Sequence, residues 1–221
     1  MLRLRDLAVG VVVLAAVLCG GLSSAMASTA TCFQGNFAAD NTVVTQNLNV
    51  PVASTYIFQT WSYAGGLDPC GNLVPRGGFD PILSLYTGPG VNLIAFNDDG
   101  HLRIDPNTGQ GWDSYIQVFL AAGNYTIAIT EYDNFPAGFS GPLPGPGLGA
   151  GFIEDGNPTF TAGFSPGFCV QNMFCDVSGT AGANRSSLYD FSYQPIPEPS
   201  SLLLLGSGII GLAGTLRRKL F

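Results

Sequence analysis

Apolar and polar positions alternate with a period of two in several short runs of the chain. Ile116, Val118 and Leu120 alternate with Tyr115, Gln117 and Phe119, and Tyr125, Ile127 and Ile129 alternate with Thr126, Ala128 and Thr130. Each run predicts a strand with one face toward a core. The link Ala121-Ala122-Gly123 between them reads as a tight hairpin connection. A second hairpin is predicted from 82–86 through Thr87-Gly88-Pro89-Gly90 to 91–96, because glycine and proline at the turn supply the backbone angles a reversal needs. Further strands are expected at 43–50, 55–62, 159–164 and 187–193. Between residues 28 and 196 no stretch keeps a helical period, and the 23 glycines there, spread among short strands, suit a β-sandwich. Residues 136–156 break the pattern: 136–151 alone hold six glycines and four prolines, which predicts a flexible surface loop.

Both ends depart from this alternation. Arg3 and Arg5 precede an apolar run from Leu7 to Leu18, and the small-residue triplet Ala25-Met26-Ala27 follows. This predicts a signal peptide over 1–27, removed by signal peptidase after Ala27. At the other end, Pro197-Glu198-Pro199 is followed by an uncharged run through Leu216 and by Arg217-Arg218-Lys219. At about 1.5 Å per residue, a helix over about 200–216 comes close to a hydrocarbon core about 30 Å thick, so a transmembrane helix is expected there. The basic cluster would hold its C-terminus on the cytoplasmic side, which leaves the domain between the two ends outside.

The order Pro-Glu-Pro, short Leu-rich helix and basic end over 197–221 resembles the PEP-CTERM sorting signal of Gram-negative bacteria that make exopolysaccharide. The resemblance implies that a membrane peptidase of the exosortase type recognises Pro197, Glu198 and Pro199, with Arg217, Arg218 and Lys219 as the basic end. It implies transient anchoring in the inner membrane, then delivery to the cell surface or the extracellular space.

Composition then narrows the exported domain, 28–196. It carries 13 Asp and Glu against Arg76, Arg103 and Arg185, a net 3 − 13 = −10, and no lysine. Nucleic acid is excluded as a partner, since phosphate binding needs a cationic face. Cys32, Cys70, Cys169 and Cys175 are an even set in an oxidising compartment, so two disulfides are expected. Three pairings are open; Cys32 with Cys70 and Cys169 with Cys175 is favoured, because the second pair closes a short local loop. A zinc site is disfavoured by the lack of any Cys-x-x-Cys spacing.

The pieces Phe79-Asp80-Pro81-Ile82-Leu83-Ser84-Leu85-Tyr86, Phe96-Asn97-Asp98-Asp99-Gly100, Asp113-Ser114 and Leu120 to Ile127 resemble the bacterial pre-peptidase C-terminal domain. The likeness covers residues 79–133. It implies a jelly-roll-like β-sandwich, all-β, that is non-catalytic and associated with secretion, adhesion or matrix binding; some members bind calcium.

Candidate chemistry centres on loop oxygens. Asp98, Asp99, Asp105, Asn107 and Asp113 cluster in sequence, with Asp80 brought near by strand pairing, and a hard cation such as calcium wants six to eight such oxygens. No cofactor is required by this reading, and the bidentate Glu that closes an EF-hand is missing; Asp, Asn and Gly are also ordinary turn residues. His101 is the sole histidine, but no Gly-x-Ser-x-Gly elbow accompanies it. Glu131 and Glu154, with Asp133 and Asp155 beside them, are the pair a glycosidase would need. Trp61, Tyr63, Trp112 and Tyr132 offer rings for stacking on sugars; Trp61 is expected in the core and Trp112 exposed as a ligand contact. The sequence therefore points to a non-enzymatic, exported structural or exopolysaccharide-binding protein. The rival classes are a small secreted hydrolase and a homotypic adhesin.

Overall fold

The period-two runs become strands whose buried side chains point alternately inward. In the strand Ser54–Thr60, Tyr56, Phe58 and Thr60 are buried, and in the strand Val44–Val50 Leu48 and Val50 are buried while Asn47 and Asn49 face out. The structure, a computed structural model, describes residues 29–169, 174–177, 179, 183–196 and 208. Its strands are β1 (Thr31–Asn36), β2 (Val44–Val50), β3 (Ser54–Thr60), β4 (Gly66–Leu67), β5 (Leu73–Val74), β6 (Pro81–Thr87), β7 (Leu93–Asn97), β8 (Tyr115–Leu120), β9 (Gly123–Glu131), β10 (Phe174–Cys175), β11 (Asn184–Arg185) and β12 (Leu188–Ile196). The expected signal peptide over 1–27, the sorting residues Pro197, Glu198, Pro199, Arg217, Arg218 and Lys219, and the helix at about 200–216 (Gly208 apart) lie outside the described residues. Among the described residues no helix is long and apolar enough to cross a membrane.

Two four-stranded antiparallel sheets run β1-β12-β3-β8 and β2-β9-β6-β7. Counting only these eight strands in chain order, the sheets read 1-8-3-6 and 2-7-4-5, which is the strand order of a jelly roll. Phe58, Phe191, Leu83, Leu85, Ile127 and Ile129 fill the space between the sheets and are almost wholly buried. Residues Thr29–Ile196 form one compact unit.

The hairpin expected at 82–96 is present: β6 pairs with β7, and Gly88 and Gly90 take positive φ of 54° and 89° in the turn, where a side chain would be strained. The hairpin expected at 121–123 is not. β8 pairs with β3 and β9 pairs with β2 and β6, so this turn carries the chain from one sheet to the other. Ile116 and Leu120 face Ile127 and Ile129 across the core instead of pairing beside them. The strand expected at 159–164 is replaced by a 3-10 turn over Phe160–Gly163, because the Thr161 amide and hydroxyl both donate to the Asp40 carboxylate. Edge strand β1, polar and glycine-bearing, owes its place to β12 and to a disulfide.

Residues 136–156, expected as a flexible loop, are laid against the outer face of the second sheet. Phe152 is buried there with Tyr86, Leu93 and Ala128, and Phe139 and Leu148 pack beside them. Backbone bonds join Leu93 to Gly145 in both directions and Leu148 to Gly90. This cover explains why Pro81 through Tyr86 of β6 are buried on both faces.

The disulfides are Cys32–Cys70, which ties β1 to the β4–β5 turn, and Cys169–Cys175. The first bridges 38 positions of sequence. Replacing both its cysteines by serine is expected to lower unfolding stability by about 3–4 kcal/mol, the chain-entropy value for a loop of that length. Urea unfolding of the parent and the double variant, both oxidised, checks this.

Candidate functional site

Antiparallel pairing brings distant acids to one end of the second sheet. β9 ends at Glu131, β6 begins just after Asp80, and β7 ends just before Asp98 and Asp99; Glu131 lies directly opposite Pro81. The Tyr132 amide donates to the Asp80 carbonyl at 2.8 Å and holds the two chain segments together. Carboxylate oxygens of Asp80, Asp98 and Asp99 lie within 4.8 Å of one another. Asp80 is 4% exposed and Glu131 1% exposed. Asp80 Oδ1, Asp98 Oδ1, Asp99 Oδ1 and both Glu131 carboxylate oxygens are buried without a hydrogen-bond partner.

Burial without a donor raises the proton affinity of every one of these groups. Asp98 is pushed up to about 7 by burial, with Asp99 and Asp133 adding to the effect. Asp80 is driven well above the usual carboxylate range by burial first and by Asp98 and Asp99 next. Glu131 is raised in the same way, by burial and then by Asp40 and Asp80. Asp99 is raised by burial, with His101 pulling the other way. The Ser114 hydroxyl sits 2.6 to 2.8 Å from the carbonyl oxygens of Pro81, Asn97 and Asp98, yet it has one proton to donate. This end of the sandwich is rich in acceptors and poor in donors.

The other three candidate ligands lie apart from this trio, two of them bonded elsewhere. Asp105 Oδ2 accepts from Arg185 Nη1 at 2.8 Å and its Oδ1 from the Asn107 amide, while Asn107 itself is exposed. Arg185 Nε donates to Asp176 at 2.7 Å, and its guanidinium lies 3.7 Å over the Tyr63 ring. The Tyr63 hydroxyl also donates to Asp176. Asp113 accepts from Thr60 Oγ1, the Tyr63 amide and the Ala64 amide, with Arg103 at 3.9 Å. The six-residue ligand set expected from sequence is therefore split between an open trio, two bonded carboxylates and the exposed Asn107, because Arg185, far along the chain, claims the loop acid Asp105.

The aromatic residues do not make one platform. Tyr63 is wholly buried; Trp112 is half-buried with its ring 5.2 Å from that of Tyr63. Trp61, expected in the core, is half-buried under the Arg103 guanidinium at 3.3 Å and donates to Ser192 Oγ. Tyr132 packs edge-on against Phe135 and Phe164. His101 is exposed, and among the described residues no serine bonds to its ring. Glu131 is too deeply buried to meet a polymer, and Glu154 accepts from the Asn157 amide group.

A feature missed from sequence lies at the opposite end of the second sheet. Asn47, Asn49 and Asn124, with Leu48, Gly88, Pro89 and Tyr125, line an open cleft of 530 Å³. Asn49 and Asn124 are cross-strand partners, and Asn49 Nδ2 donates to Asn124 Oδ1 at 2.8 Å. The signal was the Asn-Leu-Asn alternation in β2, which puts both amides on the outward face.

A profile for the PEP-CTERM protein-sorting motif matches residues 195–219, and such a motif marks an exported protein. No curated protein matches the chain. Among solved structures the chain is similar to a carbohydrate-binding module, CBM6cm-2 from Cellvibrio mixtus lichenase 5A in complex with cellotriose. The two share 14% identity over 48% of this chain and 76% of that one, with a TM-score of 0.23.

Asp190 of β12 gives a separate pH test. It is 1% exposed with neither carboxylate oxygen bonded, and it is pushed up to about 7 by burial, then by Asp68 and Asp113, with Arg103 opposing. A folded-state value above the unfolded one, about 3.9, favours the neutral form. Its contribution is whole below about pH 4 and is lost as pH rises to 7. Asp190→Asn is expected to be more stable than the parent by about 2–4 kcal/mol at pH 8, with the gap closing by pH 4. Urea midpoints at pH 4, 6 and 8 check this.

Proposed function

We propose that this chain is a non-enzymatic exported protein, sorted through its C-terminal PEP-CTERM signal to the cell surface or extracellular matrix, where the sandwich serves as a structural and exopolysaccharide-binding component. The observation that carries the reading is the sorting motif at 195–219, which begins in the last two residues of the last strand. β12 ends at Ile196, so a cut close to Pro197, Glu198 and Pro199 by an exosortase-type peptidase takes nothing from either sheet. Signal peptidase acting after Ala27 likewise leaves β1, which starts at Thr31, intact. The jelly-roll order supports reading the passenger as a non-catalytic appendage of the pre-peptidase C-terminal kind.

Polymer binding is supported by the amide-lined cleft. Three asparagine side chains offer donors and acceptors to hydroxyls, and Tyr125 and Pro89 give apolar surface for a sugar face. Trp112 is the second contact to test. The −10 charge of the domain keeps it soluble and bars direct attraction to polyanions, so contact relies on hydroxyl hydrogen bonding or on bridging cations.

The test is co-sedimentation of the surface-released protein with exopolysaccharide from the producing cells. The parent is expected to co-sediment, and Asn47→Ala with Asn49→Ala to lose about tenfold in affinity, equal to ~1.4 kcal/mol. Loss with Trp112→Ala instead moves the contact to that ring. A parent that stays in the supernatant removes the polymer partner.

A further inference from the structure

We propose that Asp80, Asp98 and Asp99 form the site of one calcium ion, closing the acidic end of the second sheet. The inference is independent of polymer binding: it concerns what balances the charge inside the sandwich. The three carboxylates come from the ends of two adjacent antiparallel strands, and their oxygens lie within 4.8 Å of one another. Oxygens on a shell 2.3–2.6 Å from a common centre, the range for calcium, are at most about 5 Å apart. The spread therefore suits a single ion of that size.

Two further facts point to a ligand rather than to a chance grouping of acids. Asp80 is nine-tenths buried and more, and its Oδ1 has no partner, as is true of one oxygen on each of the other two. The Glu131 carboxylate, opposite Pro81 on the neighbouring strand, is also buried without a donor. A buried carboxylate that lacks both donor and counter-charge is costly, and among the described residues no arginine pairs with any of the three: Arg185 bonds Asp105 and Asp176, and Arg103 lies over Trp61, donates to the Thr60 carbonyl and faces Asp113. One divalent ion would take an oxygen from each of the three carboxylates.

The donor set selects the class of metal. It is all oxygen, with no free thiol or ring nitrogen among the three, which favours a hard cation over zinc or copper. Magnesium needs ligands at about 2.0–2.1 Å in near-ideal octahedral array, whereas calcium accepts an irregular shell completed by carbonyls and water. Asp105, Asn107 and Asp113 are left out of the site, since each is bonded or exposed elsewhere.

The full-length protein, purified in detergent, is titrated calorimetrically with calcium chloride and melted in calcium or in EDTA. Calcium at a hundredfold excess over Kd is expected to raise Tm by about 5–10 °C for a domain of this size. Asp98→Asn, which removes one repelling charge, is expected to melt higher than the parent in EDTA and to lose the calcium response. A purely structural role for Asp98 would instead lower Tm in both media. Asp99→Asn, also only half-buried, is expected to behave as Asp98→Asn does. The proposal is overturned by a parent that shows neither binding heat nor a Tm shift, by variants that keep the full calcium response, or by magnesium reproducing the shift at equal concentration.

Discussion

The guanidinium of Arg185 is the fixed point of the acidic half of this sandwich. Eight carboxyl residues are buried among the described residues, and Arg185 is the only basic residue buried with them. It bonds Asp105 and Asp176 at once and covers the Tyr63 ring, so a long loop, the β10–β11 pair and the segment after β3 meet on one charge. A buried ion pair of this kind adds little net stability over an apolar replacement, but losing one partner leaves bare charge inside. What Arg185 cannot reach is left over: Asp80, Asp98, Asp99 and Glu131 lie beyond it with open oxygens. The same arithmetic of charge that organises one side of this end leaves the other side requiring a cation or protons.

The jelly-roll order decides which residues share each end. Because neighbouring strands of the second sheet run in opposite directions, the finish of β9, the start of β6 and the finish of β7 coincide, and there the acids gather. At the far end of the same strands the asparagines of β2 and β9 gather instead. The sheet thus separates a charge-bearing end, suited to an ion, from a neutral amide end, suited to hydroxyl groups. The glycine- and proline-rich cover between them is held by Phe152 and by backbone bonds, so both ends hang on a sheet packed on both faces.

Much of this was legible in the chain, and the exceptions share a cause. Period-two runs such as Tyr115 to Leu120 locate strands well, since burial of alternate side chains is local information. Whether the turn at Ala121-Ala122-Gly123 makes a hairpin or a crossing between sheets is decided by partners 56 to 85 positions away on β3 and β2, and no local signal carries that. Glycine and proline density at 136–156 read as looseness because composition does not reveal Phe139, Leu148 and Phe152 meeting a sheet face. Asp98, Asp99 and Asp105 looked like one constellation in a single loop. Arg185, about 80 positions further on, divides them. The cysteine pairing was within reach because Cys169 and Cys175 are close in sequence.

Export gives these features their setting. The sorting motif begins where the last strand ends, and the sandwich is stapled by disulfides of the kind an oxidising compartment permits. The measurement that tests the account most directly is the native intact mass of the protein recovered from the cell surface or medium, taken under conditions that retain bound ions. The account predicts a chain that starts at Ser28, ends close to Pro197, keeps both disulfides and carries the mass of one calcium ion. A chain that retains residues 202–221, or one that arrives processed but without an ion, would contradict it.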